Sequence, residues 1–367
     1  MQHKLYLVCT GLGRVKRGFE SYIVDLASLL QVHAPEIYFE VLLGNKVHEA
    51  SFQQKAISHI HRKHRIWRWL GISEATAFAR EQDFYFLGMI PFILKNKQAV
   101  YYLGEYRLYC HLFRFRKWFG LKYRLCLHTG GQVSPGLFDD RFDFVHHITP
   151  VYYATALETG IPQDRQFILP HVVENDFEQD PAIMTTIKKK AGHKKIILSV
   201  GSVDMQVKRM HLLAHLFEGM QDDFFIIICG SPTKETAQVR DALKKIFGKD
   251  GFLIEQVQRK NLGSYYAVAN AFVLCSPKES FGMVFVEAMY HGLPILVHDF
   301  EEARYVCGNQ AVYFNLDESK DAQQWIRKNW YKQEIVLNEA AIEFAYRNYS
   351  SKSISAKYVH MFQKFIA

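Results

Sequence analysis

Short apolar runs alternate with amphipathic stretches along the chain, in two successive series. In the first, residues 4–10 read as a strand, 11–18 as a glycine-rich loop, 19–30 as a helix and 37–43 as a second strand. Residues 83–87, 99–103, 121–128 and 144–148 read as further strands. The second series is cleaner: a strand at 195–200, a helix at 209–217, a strand at 224–229 and a helix at 235–247. Strands at 252–256, 271–275, 294–297 and 311–314 follow, and the tail from 337 to 367 reads as helical. Continuous apolar strands such as 224–229, alternating with helices, are the pattern of parallel sheets covered on both faces. Two such series predict two doubly wound α/β domains. A polar, then Lys-rich stretch at 174–192 reads as the linker.

The most informative segment runs from Cys275 to Pro294 and reads as a strand end, a tight loop holding Gly282, and a helix over 283–291. A glycine turn into a helix N-terminus offers backbone N–H groups and a helix dipole to an anion. Two carboxylates, Glu279 and Glu287, bracket that turn. Acids beside a phosphate site suit a phosphate carrying hydroxyl-rich groups, since carboxylates accept hydrogen bonds from vicinal hydroxyls.

Glu279, seven residues, then Glu287, with Ser280-Phe281-Gly282 between and Ala288-Met289 and Gly292-Leu293-Pro294 after, resembles the E-x7-E signature of family 4 retaining glycosyltransferases. The resemblance covers residues 195–345 well and the first domain more loosely. It implies the GT-B fold, two Rossmann-like doubly wound parallel-sheet domains facing a cleft. It divides the chain into an acceptor domain at 1–180, a nucleotide-sugar donor domain at 181–345, and a terminal helix at 346–367 crossing back to the first domain. It also implies roles. Glu287 binds the ribose diol and Glu279 lies near the donor sugar. The amides of Phe281, Gly282 and Met283 hold sugar hydroxyls, Ser280 lies beside them, and Val284 is close to the diphosphate. Val257 and Gln258 pack against the base.

Ser199-Val-Gly-Ser-Val-Asp-Met-Gln-Val-Lys208-Arg209 resembles the strand-loop segment that opens the family's donor domain. Lys208 falls where the family places the cation that steadies the leaving diphosphate. The chain departs from the family at Ser202, where an Arg is usual, and at Arg209, where a Gly is usual. Arg209 or a first-domain base is expected to supply the missing charge. The first glycine loop, Thr10 to Glu20, has neither the G-x-G-x-x-G nor the Walker spacing. It is similar to the family's N-terminal glycine loop, which marks Gly18 as a backbone phosphate contact, with Arg14, Lys16 and Arg17 adding charge. His128 ends an apolar strand before Thr129-Gly130-Gly131, where the family places a histidine over the donor sugar. His171 reads as structural.

Composition narrows the picture. The 367 residues are 49% hydrophobic and 22% charged, enough for two packed domains and against disorder. Six cysteines without a C-x-x-C read as buried thiols of a reducing compartment. The longest apolar stretch, 84–94, is about half a membrane span and contains Gly88 and Pro91. With no leader legible before the first strand, a soluble, cytoplasmic protein is expected, with peripheral contact at the inner face of a membrane left open.

The net charge of +8 is concentrated: residues 55–124 carry fourteen bases against four acids. That asymmetry suggests an anionic partner for the first domain. Within it, residues 107–124 interleave bases with aromatics. Three readings stay open: a basic helix on an anionic membrane, a groove for a phosphate-linked acceptor, or a solvated cover on the sheet. No nucleic-acid motif accompanies the charge. There is no Asp-x-Asp, H-E-x-x-H or Cys/His cluster at metal spacing, so neither a metal nor another cofactor is expected.

The resemblance thus implies a metal-independent hexosyltransferase. Its donor would be a nucleotide sugar, with UDP-glucose or another UDP-sugar the first choice by family frequency. Its acceptor would be a glycan or lipid-phosphate-linked molecule, in polysaccharide or glycolipid biosynthesis. A nucleotide-sugar epimerase and a catalytically silent sugar-nucleotide-binding scaffold are the rivals.

Overall fold

The computed structural model of the chain describes residues 3–15, 18–48, 51–130 and 141–367. It divides into two compact units, Met1–Val172 with Ser351–Ala367, and Val173–Ser350. Lys16, Arg17 and Gly131 of the expected loops lie outside the described residues.

In the first unit, β1 (Lys4–Cys9), β2 (Phe39–Leu43), β3 (Gln54–Ala56), β4 (Ala99–Leu103), β5 (Arg124–His128), β6 (Phe144–His147) and β7 (Gln166–Ile168) form one sheet. The order is β3-β2-β1-β4-β5-β6-β7 and every pairing is parallel, with Leu7 between Val41 and Tyr102. The helices are α1 (Gly18–His33), α2 (Arg65–Trp69), α3 (Glu74–Lys95), α4 (Tyr106–Phe119) and α5 (Tyr153–Glu158). All five residues of β4 are buried, as a central parallel strand covered on both faces requires.

Residues 83–87, expected as a strand, are the middle of α3. The Ser73 hydroxyl accepts from the Thr76 amide at 3.2 Å and caps that helix. Its buried positions, Ala77, Glu81, Gln82, Tyr85, Met89, Phe92 and Ile93, follow a helical period. The apolar residues between them, such as Leu87 on the exposed face, hide that period in the sequence. The short strands β3 and β7 are not legible in the sequence, because three residues carry no usable alternation.

The second unit holds β8 (Lys195–Val200), β9 (Phe224–Cys229), β10 (Phe252–Glu255), β11 (Ala271–Leu274), β12 (Ile295–His298) and β13 (Ala311–Phe314). Their order is β10-β9-β8-β11-β12-β13, again all parallel. The helices are α6 (Pro181–Ala191), α7 (Leu212–Leu216), α8 (Thr236–Phe247), α9 (Leu262–Val268), α10 (Met283–Tyr290), α11 (Glu301–Cys307), α12 (Lys320–Asn329) and α13 (Glu339–Tyr349). Part of the expected linker is therefore the helix α6. Asp180 caps it by accepting from the Ala182 amide at 2.8 Å, and Pro181 stands at its first position. The helix expected over 209–217 shrinks to α7, because Arg209 takes a positive φ of 49° and cannot continue a helix.

The expected helical tail is two helices. Ser350 is extended, with ψ 147°, and separates α13 in the second unit from α14 (Ser351–Ile366) in the first. Arg124 donates to the Phe365 carbonyl at 3.1 Å, and the Tyr358 hydroxyl donates to that of Pro170 at 2.7 Å. Tyr358, Met361, Phe362 and Phe365 of α14 are fully buried. Each such side chain contributes about 1.5–3 kcal/mol of burial, so α14 is part of the first unit's core.

Among the described residues no helix is long and apolar enough to cross a membrane. All six cysteines are free thiols, five of them buried.

Candidate active site

Open parallel sheets bind ligands beyond the carboxyl ends of their strands, where the strand order reverses. In the second unit that point lies between β8 and β11. The loop after β8 carries Ser202, Lys208 and Arg209. The loop after β11 carries Glu279, Ser280, Phe281 and Gly282.

The two loops meet. Lys208 Nζ donates to Glu279 Oε1 at 2.5 Å, and both side chains are largely withdrawn from solvent. Asp204 shapes the first loop by accepting from the amides of Val207 at 2.8 Å and Lys208 at 2.6 Å, and from the Ser202 hydroxyl. Ser202 is thereby engaged inside its own loop. The stem of Lys208 crosses Gly201, where a Cβ would lie 3.0 Å from its Cε. The guanidinium of Arg209 is committed locally. Nε donates to the Cys275 carbonyl at 2.7 Å, Nη1 pairs with Asp317, and Nη2 donates to His298 Nδ1 at 3.1 Å.

Gly282 takes a φ of 81° as the cap residue of α10. That conformation suits glycine, and a Cβ there would also lie 2.4 Å from the Phe285 ring. The turn presents the first amides of α10, those of Met283 and Val284, which have no partner within the helix. Phe281 and Met283 are buried, Ser280 and Val284 half-buried. One turn further, Glu287 is 3% exposed. Its Oε2 accepts from the Tyr266 hydroxyl at 2.8 Å, and its Oε1 lies 3.5 Å from Arg259 Nε. Burial first, then the charge of Glu287, hold the Tyr266 phenol well above its ordinary pKa, so it stays a donor. Val257 is half-buried and Gln258 exposed in the loop after β10. They precede the 3-10 turn Arg259–Asn261 that carries Arg259 towards Glu287.

In the first unit the sheet order reverses between β1 and β4. Gly18 begins α1, and a Cβ there would meet none of the described residues within 4 Å. The steric demand falls on Gly13 instead, with φ 81° and a virtual Cβ 1.9 Å from the Asn45 carbonyl oxygen. Arg14 Nε donates to the Gly44 carbonyl at 3.0 Å. At the switch point itself, Glu105 Oε1 accepts from the Thr10 amide at 3.2 Å and its hydroxyl at 2.9 Å.

His128 is fully buried at the end of β5. Its Nδ1 accepts from the Gly130 amide at 3.0 Å, so Nε2 carries the proton and donates to His171 Nε2, also at 3.0 Å. Both rings stack on Tyr22, at 4.7 and 4.1 Å. Burial drives the basicity of both well below the ordinary histidine range. A sugar hydroxyl would have to displace Gly130 or His171 to reach the His128 ring.

Tyr266, Arg259, Asp204 and Glu105 do not stand out in the sequence. Only Asp204, three and four residues before the amides it caps, leaves a readable signal. Among the described residues no group of three or more His, Cys, Asp or Glu side chains could hold a metal ion.

Residues 184–340 match the model of the family described as glycosyl transferases group 1. No curated protein matches the sequence. Several solved structures resemble the chain over nearly its whole length. Sucrose-phosphate synthase of Thermosynechococcus elongatus has a TM-score of 0.77 at 14% identity, covering 99% of each chain. Anabaena HepE in complex with UDP and glucose has 0.75 at 11%, covering 98% of this chain and 99% of that one. The lipopolysaccharide outer core galactosyltransferase WaaB, in its apo form, has 0.66 at 12%, covering 99% of each. With two all-parallel Rossmann-like units and these neighbours, the chain has the GT-B fold.

Proposed function

We propose that the protein is a retaining glycosyltransferase. It moves a hexose from a nucleotide sugar, UDP-glucose or another UDP-sugar, to a glycan or lipid-linked acceptor in polysaccharide or glycolipid biosynthesis. The observation that carries this reading is the grouping in the second unit. Lys208 meets Glu279, the Gly282 turn opens α10, and Glu287 is buried one turn inside. This grouping lies within the residues matched by the family model, and one structural neighbour, Anabaena HepE, was solved with UDP and glucose bound.

In this reading the ribose diol donates to Glu287, which Tyr266 and Arg259 hold in place. The diphosphate lies against the first amides of α10 and Lys208. Glu279 accepts from a sugar hydroxyl while keeping Lys208 in line. As the bond from the anomeric carbon to the phosphate oxygen breaks, negative charge builds on the diphosphate, and Lys208 stabilises it. The acceptor oxygen bonds to the same face of the anomeric carbon, and its proton passes to the departing phosphate. No nucleophile from the chain and no metal enters this scheme. We place the protein in the cytoplasm, with the exposed bases of α4 available to an anionic membrane or a lipid-phosphate acceptor.

A thermal-shift screen of nucleotide sugars tests the reading. A ligand at a hundred times its Kd adds about 2.7 kcal/mol to stability. Glu287→Ala removes a charge-assisted acceptor contributing about 1.5–3 kcal/mol, so UDP affinity measured by calorimetry falls about tenfold or more. Transfer by the intact protein persists in excess EDTA. No stabilisation by any nucleotide sugar, or unchanged UDP affinity in Glu287→Ala, rejects the reading. Donor conversion without an acceptor points to the epimerase.

A further inference from the structure

Arg209 takes a left-handed backbone conformation, φ 49°, where a glycine would sit at no cost. Among the described residues only one other non-glycine residue, Lys332, has a positive φ. The strain at Arg209 coincides with a side chain that reaches three separate pieces of the second unit. Nε donates to the Cys275 carbonyl at the end of β11, Nη1 pairs with Asp317 after β13, and Nη2 donates to His298 Nδ1 at the end of β12. His298 Nδ1 accepts a second hydrogen bond, from the Leu316 amide at 3.1 Å. Two donors converge on one ring nitrogen, so His298 is neutral there. Burial, then the Arg209 charge, depress its basicity accordingly.

The residue before Arg209 is Lys208, and the residue four after Cys275 is Glu279. One guanidinium therefore ties together the roots of the two loops whose tips form the Lys208–Glu279 pair. The charge of Arg209 is opposed by Asp317, and its side chain is 13% exposed. It is built in as a brace, not held out as a ligand for phosphate.

The geometry points to Arg209 as a positioning residue, one that fixes Lys208 against Glu279 by clamping the loop after β8 to the end of β11. This goes beyond the expectation that it supplies the missing donor-binding cation. Its kinetic consequence rests on the glycosyltransferase reading, whereas its structural consequence does not.

The key variant is Arg209→Gly, which keeps the backbone conformation unstrained and removes only the fork. Hydrogen exchange on the unliganded protein reads the clamp without any substrate. Amides of residues 203–208 and 276–282 exchange about tenfold faster or more in Arg209→Gly, with the melting temperature nearly kept. Unchanged exchange in both loops overturns the proposal whatever the protein does. With the donor found in the screen, kcat of Arg209→Gly falls about tenfold while KM for the donor stays within about threefold. In a Lys208→Ala background, itself slowed by about 10²-fold, the same substitution gives no further loss, because Arg209 acts through Lys208. Additive losses overturn the proposal.

Arg209→Lys keeps the charge and lacks the fork, so it behaves like Arg209→Gly. Rescue by lysine would mean direct contact with the diphosphate and overturn the proposal. Asp317→Asn, on an exposed partner, lowers kcat as well, whereas an Arg209 that binds phosphate would gain nucleotide affinity from it.

Discussion

Four buried histidines make the first unit sensitive to acid. Burial lowers His146 to about 3 and His147 to about 4, and takes His128 and His171 well below the ordinary range. His146 accepts from the Tyr102 hydroxyl at 2.7 Å and donates to the Leu169 carbonyl at 2.8 Å, so its neutral form is built in. Below about pH 6.5 the unfolded chain binds protons that these rings refuse. Stability therefore is complete above that pH and falls as pH drops towards the folded values, by about 1.4 kcal/mol per histidine per pH unit. Urea unfolding at pH 5, 6 and 7 reads this slope. His146→Gln lowers stability overall but flattens the dependence by about one histidine's share. An unchanged slope would mean that His146 is not held neutral. The histidine at 128 can be picked out from the sequence by its place at a strand end. Its pairing with His171 cannot, since 43 residues separate them.

At the scale of elements, the turn into α10 concentrates local chemistry. Gly282→Ala places a Cβ at φ 81°, where an L-residue is strained by roughly 1–2 kcal/mol, and drives it into the Phe285 ring, which is fully buried. We expect a loss of about 1–3 kcal/mol in stability and weaker binding of the nucleotide sugar, since the amides of Met283 and Val284 are re-aimed. Chemical denaturation and calorimetry on the same protein measure both. A variant with full stability and full affinity would show that the turn tolerates a side chain and that its amides are not the contact. The strand-turn-helix at 271–291 is legible because glycine, apolar strand and helix each carry a local signal. In α3 that legibility fails: Phe84, Phe86 and Leu87 interrupt the helical period with apolar residues of the less buried face, so a helix with Pro91 inside reads as a strand.

For the whole molecule, the basic charge of the first unit is the feature with the longest reach. The face expected over 107–124 is thinner than the sequence suggests. Arg107 pairs with Asp83, Arg116 with Asp143, and Arg124 donates to the Phe365 carbonyl. Arg114, Lys117 and Lys122 remain exposed, beside Trp118 at 78% and Phe119 at 61% exposure. Three bases near an anionic surface contribute about 1 kcal/mol each, and two exposed aromatics add interfacial area. Cosedimentation with vesicles rich in anionic lipid is expected at low salt and weakens as salt shortens the screening length. Charge reversal at Arg114 and Lys117 together reduces it while UDP affinity stays the same. Absence of cosedimentation even at low salt leaves α4 as a solvated cover on its sheet.

The sequence by itself determined the two parallel α/β units, because buried parallel strands are continuous apolar runs and longer helices between them, such as α6 and α8, show an apolar face at helical spacing. It also determined the Glu279–Gly282–Glu287 turn, whose members lie within nine residues of one another. Tertiary structure alone decided what those residues touch. Lys208 and Glu279 are 71 positions apart, Arg209 and Asp317 are 108, and Tyr266 meets Glu287 from a different helix. Periodicity and capping are local and can be read along a chain. The partner of a polar side chain depends on which strands a parallel sheet sets side by side, and the crossovers that decide this are longer than any local pattern.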